Sequence, residues 1–129
     1  MKKITVSTKQ KKEVIDITEE LQNFVEEKGR GILFINTLHT TCAITTADLD
    51  PRTSKDYLRA LESISPKISY NHPHDPSHFP DHFLSTLIGT ALTVQTDNGK
   101  LILGTWQRIV LIEFDGPRER TLSLSFTKE

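Results

Sequence analysis

Apolar and polar residues alternate at both ends of the chain, with the period of two that is typical of strands with one buried face. The alternation covers Ile4–Ser7 near the start and Leu122–Thr127 near the end. Two runs between them, Gly31–Leu38 and Thr40–Thr46, are rich in β-branched and large apolar residues. This composition predicts two further strands, of which the first is buried.

The stretch after residue 90 is also predicted to be β-structure. Leu92–Gln95 alternates, Leu101–Leu103 follows the sequence Asp97-Asn98-Gly99, and Gln107–Phe114 is rich in apolar residues. An Asn-Gly pair between two apolar stretches is a strong hairpin signal, because the favoured two-residue turn needs a positive φ at both positions. The sequence Asp115-Gly116-Pro117 predicts one more turn before the last strand.

Three segments carry apolar residues at helical spacing. The first covers Thr18–Lys28, with Thr18 as its N-cap and a glycine after its last residue. The second covers Thr53–Ile64, where Asp56 completes a variant of the capping box. The third, Asp81–Ile88, is followed by a glycine that can end it. These segments predict two main helices and one short helix.

The length of the chain, 129 residues, is that of one ordinary domain, and no repeat or change in composition divides it. We therefore expect a single domain over residues 1–129. Strands and helices follow each other in no regular alternation, which indicates an α+β fold with largely antiparallel pairing towards the C-terminal end.

Charge and hydropathy argue against several classes of protein. The net charge is −1, without the basic excess of a nucleic-acid-binding domain. Lys9, Lys11 and Lys12 come nearest to a basic patch, and we interpret them as a solvated face. No apolar run reaches the length of a membrane span or a secretory signal, and the single cysteine, Cys42, has no disulfide partner. We expect a cytoplasmic protein that binds neither nucleic acid nor membranes.

Four of the five histidines lie in or just after a proline-rich stretch, Ser65–Pro80, which is predicted to be a long irregular loop. They are His72, His74, His78 and His82. Neutral imidazole is a common ligand of zinc and related metals, and long loops in compact domains are often functional. The cluster favours a polar ligand site over a solvated histidine-rich loop, and its spacing matches no standard zinc-finger pattern.

Several other residues have more than one interpretation. His82 lies near the start of a predicted helix, as either a neutral ligand or a hydrogen-bonded cap. His39, taken alone, is best explained as a core histidine that bonds a backbone carbonyl, and Cys42 as a buried, inert thiol. The only tryptophan, Trp106, is predicted to pack in the core. Arg118 and Arg120 follow a turn, and their guanidinium groups suit phosphate and carboxylate oxygens, but this signal is weak by itself.

Short motifs spread over nearly the whole chain carry a family resemblance. The most specific are Leu-Gly-Thr-Trp-Gln at 103–107 and Asp-Gly-Pro-Arg at 115–118. The others are Leu38-His39-Thr40-Thr41, Asp50-Pro51, and His82 followed by Ser85, Leu87 and Gly89. In this order and at this spacing, they resemble the YjbQ family, also called the secondary thiamine-phosphate synthase family.

The resemblance implies an α+β domain with mixed sheets that assembles as a homotrimer. It also implies a histidine-lined pocket near a subunit boundary, able to hold a divalent metal, either zinc or, with a pyrophosphate substrate, magnesium. The family's histidines fall on His39, His72 and His82, and its Gly-Pro-Arg arginine falls on Arg118. Further candidate substrate contacts near these positions are Thr41, His74 and His78.

The activity that the resemblance implies is the joining of a pyrimidine pyrophosphate to a thiazole phosphate, with release of pyrophosphate. Such a reaction needs positive charge beside the leaving pyrophosphate, which a metal and Arg118 would supply. Family members often carry an Asn-Glu pair that Thr45–Pro51 lacks, and Asp48 is the candidate for its acidic role. We therefore expect catalytic roles for Asp48 and Arg118.

Two alternatives to this transferase stay open. One is a metal-dependent hydrolase of a small phosphate or amide, in which the metal activates water and Asp48, Asp75 or Asp81 is the general base. The other is a non-catalytic small-molecule-binding module. The sequence carries no glycine-rich phosphate loop and no dinucleotide fingerprint, which argues against nucleotide-dependent chemistry.

Overall fold

The computed structural model describes residues 1–129, which form eight β-strands and three α-helices. The strands are β1 (Lys2–Ser7), β2 (Glu13–Asp16), β3 (Gly31–Thr37), β4 (Cys42–Ala47), β5 (Ala91–Asp97), β6 (Lys100–Leu101), β7 (Arg108–Glu113) and β8 (Glu119–Lys128). The helices are α1 (Thr18–Val25), α2 (Pro51–Ile64) and α3 (Phe79–Ile88), and one turn of 3-10 helix, Pro76–His78, comes directly before α3. No helix combines the length and the apolar character needed to cross a membrane.

The strands form two sheets in which every pairing is antiparallel. The larger sheet has the order β1-β8-β3-β5-β6, and the smaller has the order β2-β7-β4. The long strand β8 pairs with both β1 and β3, so that Leu122 lies opposite Ile4 on one side and Thr37 on the other. The expected α+β fold, with largely antiparallel sheets, two main helices and one short helix, is confirmed.

Strand β7 is buried on both faces, which explains the four consecutive apolar residues Ile109–Ile112. Ile109 and Leu111 belong to the main core, which joins the two sheets and α1. Val110 and Ile112 point to the opposite side, where a second cluster includes Leu84 of α3. Because α3 packs directly on this smaller sheet, the side chains at its start come close to the ends of the central strands.

The predicted hairpin at Asp97-Asn98-Gly99 is confirmed. Strands β5 and β6 pair across it, with Thr96 opposite Leu101. Asn98 has φ of 51° and Gly99 has φ of 72°, the left-handed conformation that a two-residue hairpin turn requires.

Helix α1 begins at Thr18, but Thr18 is not its side-chain cap. Its hydroxyl accepts the backbone N–H of Ile109 in β7, at 2.9 Å, and so ties the helix to the smaller sheet. The carboxylate of Asp16 accepts the N–H of Thr18 instead. The helix also ends at Val25, short of the predicted Lys28. A contact with a distant strand, which the local sequence does not encode, decides the role of the threonine.

The predicted capping box of α2 is also wrong. The N-cap is Asp50, whose carboxylate accepts the backbone N–H groups of Arg52 and Thr53 at 2.9 Å each. Pro51 is the first helical residue, where its missing N–H costs nothing. The helix therefore begins two residues before the predicted start at Thr53.

The prediction that Trp106 packs in the core is wrong, since 75% of its surface is exposed. It lies in the turn between β6 and β7, which the side chain of Gln107 closes by accepting the N–H of Gly104 at 2.8 Å. The main core is formed by aliphatic residues of the two sheets and α1, and Trp106 does not belong to it. The interpretation of Cys42 as a buried thiol is confirmed, and burial raises its pKa.

Candidate functional site

A cleft of about 430 Å³ opens where the turn after β3, the start of α3 and the turn before β8 meet. Seven of its lining residues are polar or charged: His39, Thr40, Thr41, His82, Asp115, Arg118 and Arg120. The strands bring these segments together, because β3 pairs with β8 and the smaller sheet carries α3. Residues far apart in the sequence therefore share one small surface.

His39 lies in the turn between β3 and β4 and is half-buried. Its Nε2 accepts the backbone N–H of Thr121 at 2.7 Å, so it bonds an amide donor and not the carbonyl that the sequence predicted. An accepting nitrogen carries no proton, and the proton of the neutral ring is then on Nδ1. Burial lowers the pKa of His39, and the nearby Arg120 lowers it further. At neutral pH, His39 is an uncharged side chain with an N–H available to a ligand.

We expect the free energy of unfolding to fall as the pH drops below about 6.5, in part because of His39. The folded pKa lies below the unfolded value, so the unfolded chain takes up the proton first. The stability contributed by neutral His39 is complete above pH ~6.5 and is lost as the pH falls towards the folded pKa. Urea denaturation at pH ~7.5 and ~5.5 measures this loss. His39→Gln should reduce it, whereas the exposed control His74→Gln should not; equal losses in both variants contradict the assignment.

A buried ion pair forms the floor beside His39. Arg120 donates from Nε to Glu113 at 2.9 Å, and its Nη2 contacts the second carboxylate oxygen and the hydroxyl of Thr41. The hydroxyl of Thr8 also donates to Glu113, at 2.8 Å. Burial alone would raise the pKa of Glu113, but the hydrogen bonds from Arg120 and Thr8 hold it below its usual range. The pair is fully ionised and fixes the backbone at Thr41.

Arg118 contributes the exposed positive charge of the cleft. Its Nε donates to the backbone oxygen of Asp115 at 2.7 Å, and its Nη2 donates to the Asp115 carboxylate at 2.9 Å. Lys11 donates to the other oxygen of the same carboxylate at 2.7 Å. Burial tends to raise the pKa of Asp115, but these two cations lower it below its ordinary value.

His72 and His82 contact each other, with ring centroids 4.7 Å apart and the planes tilted by 30°. His82 lines the cleft, and His72 lies next to it. Nδ1 of His72 is 3.2 Å from the backbone oxygen of Asp75. The structure thus brings His39 and His82 to one cleft and places His72 against His82.

These three histidines do not form a metal centre within one chain. Nε2 of His39 accepts a hydrogen bond and Nδ1 carries the proton, so neither nitrogen has a lone pair free for an ion. No group of three or more histidine, cysteine, aspartate or glutamate side chains in the chain is placed to hold a metal. The residues of one chain therefore do not fit the implied metal, and a centre completed by another copy of the chain stays a prediction.

Three of the other predicted site residues, Asp48, His74 and His78, lie apart from the cleft. Asp48 is exposed between β4 and α2, and its backbone oxygen accepts the hydroxyl of Tyr57 at 2.9 Å. His74 is exposed, and His78 is 3.3 Å from the Asp75 carboxylate on the rim of a different cavity. Thr41 and Arg118 are in the cleft, so the structure brings together only part of the predicted set.

Sequence reasoning missed Asp115 and Glu113 as site residues, and it named Arg120 only as the second of two arginines after a turn. A signal was present, since Glu113 interrupts the apolar run of β7 and Arg120 occupies a position in β8 that the register turns inward. Charged side chains at buried strand positions are almost always paired with a residue of opposite charge. The pattern does not tell which strands meet, so the pair was not predicted.

A family model described as UPF0047 protein YjbQ-like matches residues 2–129 of this chain. The UPF0047 protein YugU of Bacillus subtilis is 39% identical over 124 residues, covering 94% of this chain and 94% of YugU. The UPF0047 protein of Archaeoglobus fulgidus is 37% identical over 118 residues, covering 91% of this chain and 93% of that protein.

Solved structures are similar over almost the whole chain. A protein of unknown function from Sulfolobus solfataricus, described as YbjQ-like, superposes with a TM-score of 0.91 at 32% identity, covering 99% of this chain and 96% of its own. An uncharacterised YjbQ/UPF0047-family protein from Clostridium acetobutylicum has a TM-score of 0.88 at 32% identity, covering 98% of this chain and 100% of its own.

Proposed function

This chain belongs to the YjbQ-like UPF0047 family, and we propose that it is a small-molecule transferase that binds phosphorylated substrates in the His39–Arg118 cleft. The reaction proposed is of the thiamine-phosphate synthase type, in which a pyrimidine pyrophosphate is joined to a thiazole phosphate. The observation that carries the proposal is that His39, whose Nε2 accepts a hydrogen bond and whose remaining ring nitrogen is a donor, lines the same cleft as Arg118.

The donors of the cleft suit phosphate oxygens. A guanidinium presents several N–H groups in a planar fork that matches phosphate, and a neutral imidazole adds one further donor. The hydroxyl of Thr40, on an exposed residue of the lining, can add another. The one carboxylate in the lining, Asp115, is already occupied by Lys11 and Arg118, so it offers little repulsion to an anion.

The same donors can assist departure of pyrophosphate. As the C–O bond breaks, its electron pair leaves with the pyrophosphate, while a new bond forms between that carbon and the thiazole. Negative charge grows on the departing oxygens, and Arg118 and the His39 N–H would stabilise it there. The thiazole contributes a lone pair to the new bond, so no carboxylate needs to remove a proton in this step.

The hydrolase alternative receives no support from the positions of its candidate bases. Asp48 and Asp75 do not line the cleft, and Asp81 lines the neighbouring cavity. Asp115, the carboxylate that does line the cleft, has a lowered pKa and two cationic partners, which makes it a weak base.

We expect the purified protein to bind inorganic pyrophosphate and to form thiamine phosphate from the two phosphorylated precursors. Calorimetry measures the binding, and chromatographic detection of the product measures turnover. Pyrophosphate binding without product supports the non-catalytic binding module, and absence of both contradicts the proposal. Light scattering and elemental analysis of the same preparation test the predicted homotrimer and a metal shared between its copies.

A further inference from the structure

Two lysines of the turn between β1 and β2, predicted to form a solvated face, instead make ion pairs. Lys11 lies 2.7 Å from the Asp115 carboxylate and 3.8 Å from that of Asp81, and Lys12 lies 3.6 Å from Asp81. The side chain of Asp81 is only 7% exposed. Lys9, from the same turn, forms no ion pair.

The charges of the cleft cancel if Lys11 is left out. The guanidinium of Arg120 is balanced by Glu113, and that of Arg118 by Asp115. His39 accepts the backbone N–H of Thr121 through Nε2, which is the hydrogen bond of an uncharged imidazole. Lys12 and Asp81 form a further balanced pair beside the cleft. Lys11 is therefore the charge that makes this group of residues positive.

Lys11 also contributes to the position of Arg118. One oxygen of the Asp115 carboxylate accepts from Lys11 and the other accepts from Arg118, so the three side chains form a continuous bridge. Lys11 itself lies on a turn that is held to the same region, because the backbone oxygen of Lys11 accepts the N–H of Gly116 at 2.9 Å. The bridge limits the directions in which the exposed Arg118 can point.

We propose that Lys11 is a positioning residue of the cleft. It gives the cleft a net positive charge and orients Arg118 through Asp115, and the cleft therefore prefers anionic ligands. This inference rests on the proposed function, since it concerns the same cleft. Lys11 does not line the cleft, and it acts on a ligand only through Asp115 and through its charge.

Replacement by an uncharged residue should weaken anion binding without abolishing it. The Lys11 side chain is 54% exposed, so solvent screens its charge, and we expect pyrophosphate affinity to fall about fivefold at low salt. The difference should shrink as salt increases, because the electrostatic part of the interaction is screened over about 10 Å at 0.1 M.

The experiment is calorimetry with inorganic pyrophosphate at two salt concentrations, using wild type, Lys11→Met, Lys11→Arg and the control Lys9→Met. Lys11→Met should lose affinity, Lys11→Arg should restore most of it, and Lys9→Met should bind like wild type. A salt-dependent loss confined to Lys11→Met supports the inference. Unchanged affinity of Lys11→Met, or an equal loss in Lys9→Met, overturns it.

A second comparison removes the ambiguity of a folding defect. In an Asp115→Asn background the carboxylate bridge is absent, so adding Lys11→Met should change affinity less than it does in wild type. An equal change in both backgrounds overturns the positioning role. Failure of wild type to bind pyrophosphate overturns the proposed function and this inference together, whereas wild-type binding that is lost in Arg118→Ala but kept in Lys11→Met overturns this inference alone.

Discussion

Glu113→Gln is expected to lower the free energy of unfolding by about 3–5 kcal/mol, because it leaves the guanidinium of Arg120 buried without a counter-charge. Glu113 is 0% exposed and Arg120 is 2% exposed, so water cannot replace the lost partner. Glutamine has nearly the same shape but one oxygen instead of two. Its NH₂ group would face donors of Arg120, Thr8 or the Asp115 backbone, all of which now bond the carboxylate.

Urea denaturation of wild type and variant measures this loss. Glu119→Gln is the matched control, since Glu119 is an exposed residue of β8 that forms no ion pair, and its stability should stay within about 0.5 kcal/mol of wild type. A loss below about 1 kcal/mol in Glu113→Gln would show that the pair is not an essential part of the fold.

The double variant Glu113→Leu with Arg120→Met tests the cause of the effect. If the cost comes from an uncompensated charge, the double variant should be more stable than Arg120→Met alone, because neither charge remains. The position of Thr41 in the cleft should still change in the double variant, because Arg120 also bonds the hydroxyl and the backbone oxygen of Thr41. Pyrophosphate affinity of the double variant would measure that second role.

Arg118→Ala is expected to lower turnover by about 100- to 1000-fold, the usual effect of removing one group that stabilises developing charge. Arg118 is exposed and its side chain bonds only Asp115, so the stability of the fold should change little in this variant, which keeps the backbone bonds to Thr8. The test is the rate of thiamine phosphate formation at saturating substrates, with the free energy of unfolding measured in parallel.

Arg59→Ala is the control, because Arg59 is an exposed arginine of α2 outside the cleft. A loss of turnover in Arg118→Ala, with normal turnover in Arg59→Ala, assigns the catalytic role to Arg118. Turnover within twofold of wild type in both variants would remove Arg118 from the reaction, and the leaving group would need another source of positive charge.

The candidate site shows what a local pattern can and cannot predict. The motifs around His39, His82 and Arg118 single out residues that the structure places around one cleft. His72 is adjacent to it through the ring of His82. Asp48, by contrast, lies outside the cleft. The sequence around Asp48 does not indicate the direction of the β4–α2 connection, so the position of this residue was not predictable.

The sequence by itself determined the elements whose signals are local. Alternating apolar residues specify the first and last strands of the chain, and the Asn98-Gly99 pair specifies the hairpin, because Asn and Gly adopt a positive φ more readily than other residues. Only the tertiary structure decided which charges meet, namely Glu113 with Arg120 and Lys11 with Asp115. The two residues of each pair lie on different segments of the chain. The energy of an ion pair depends on the distance between its charges, and that distance is set by the order and register of the strands that bring the segments together.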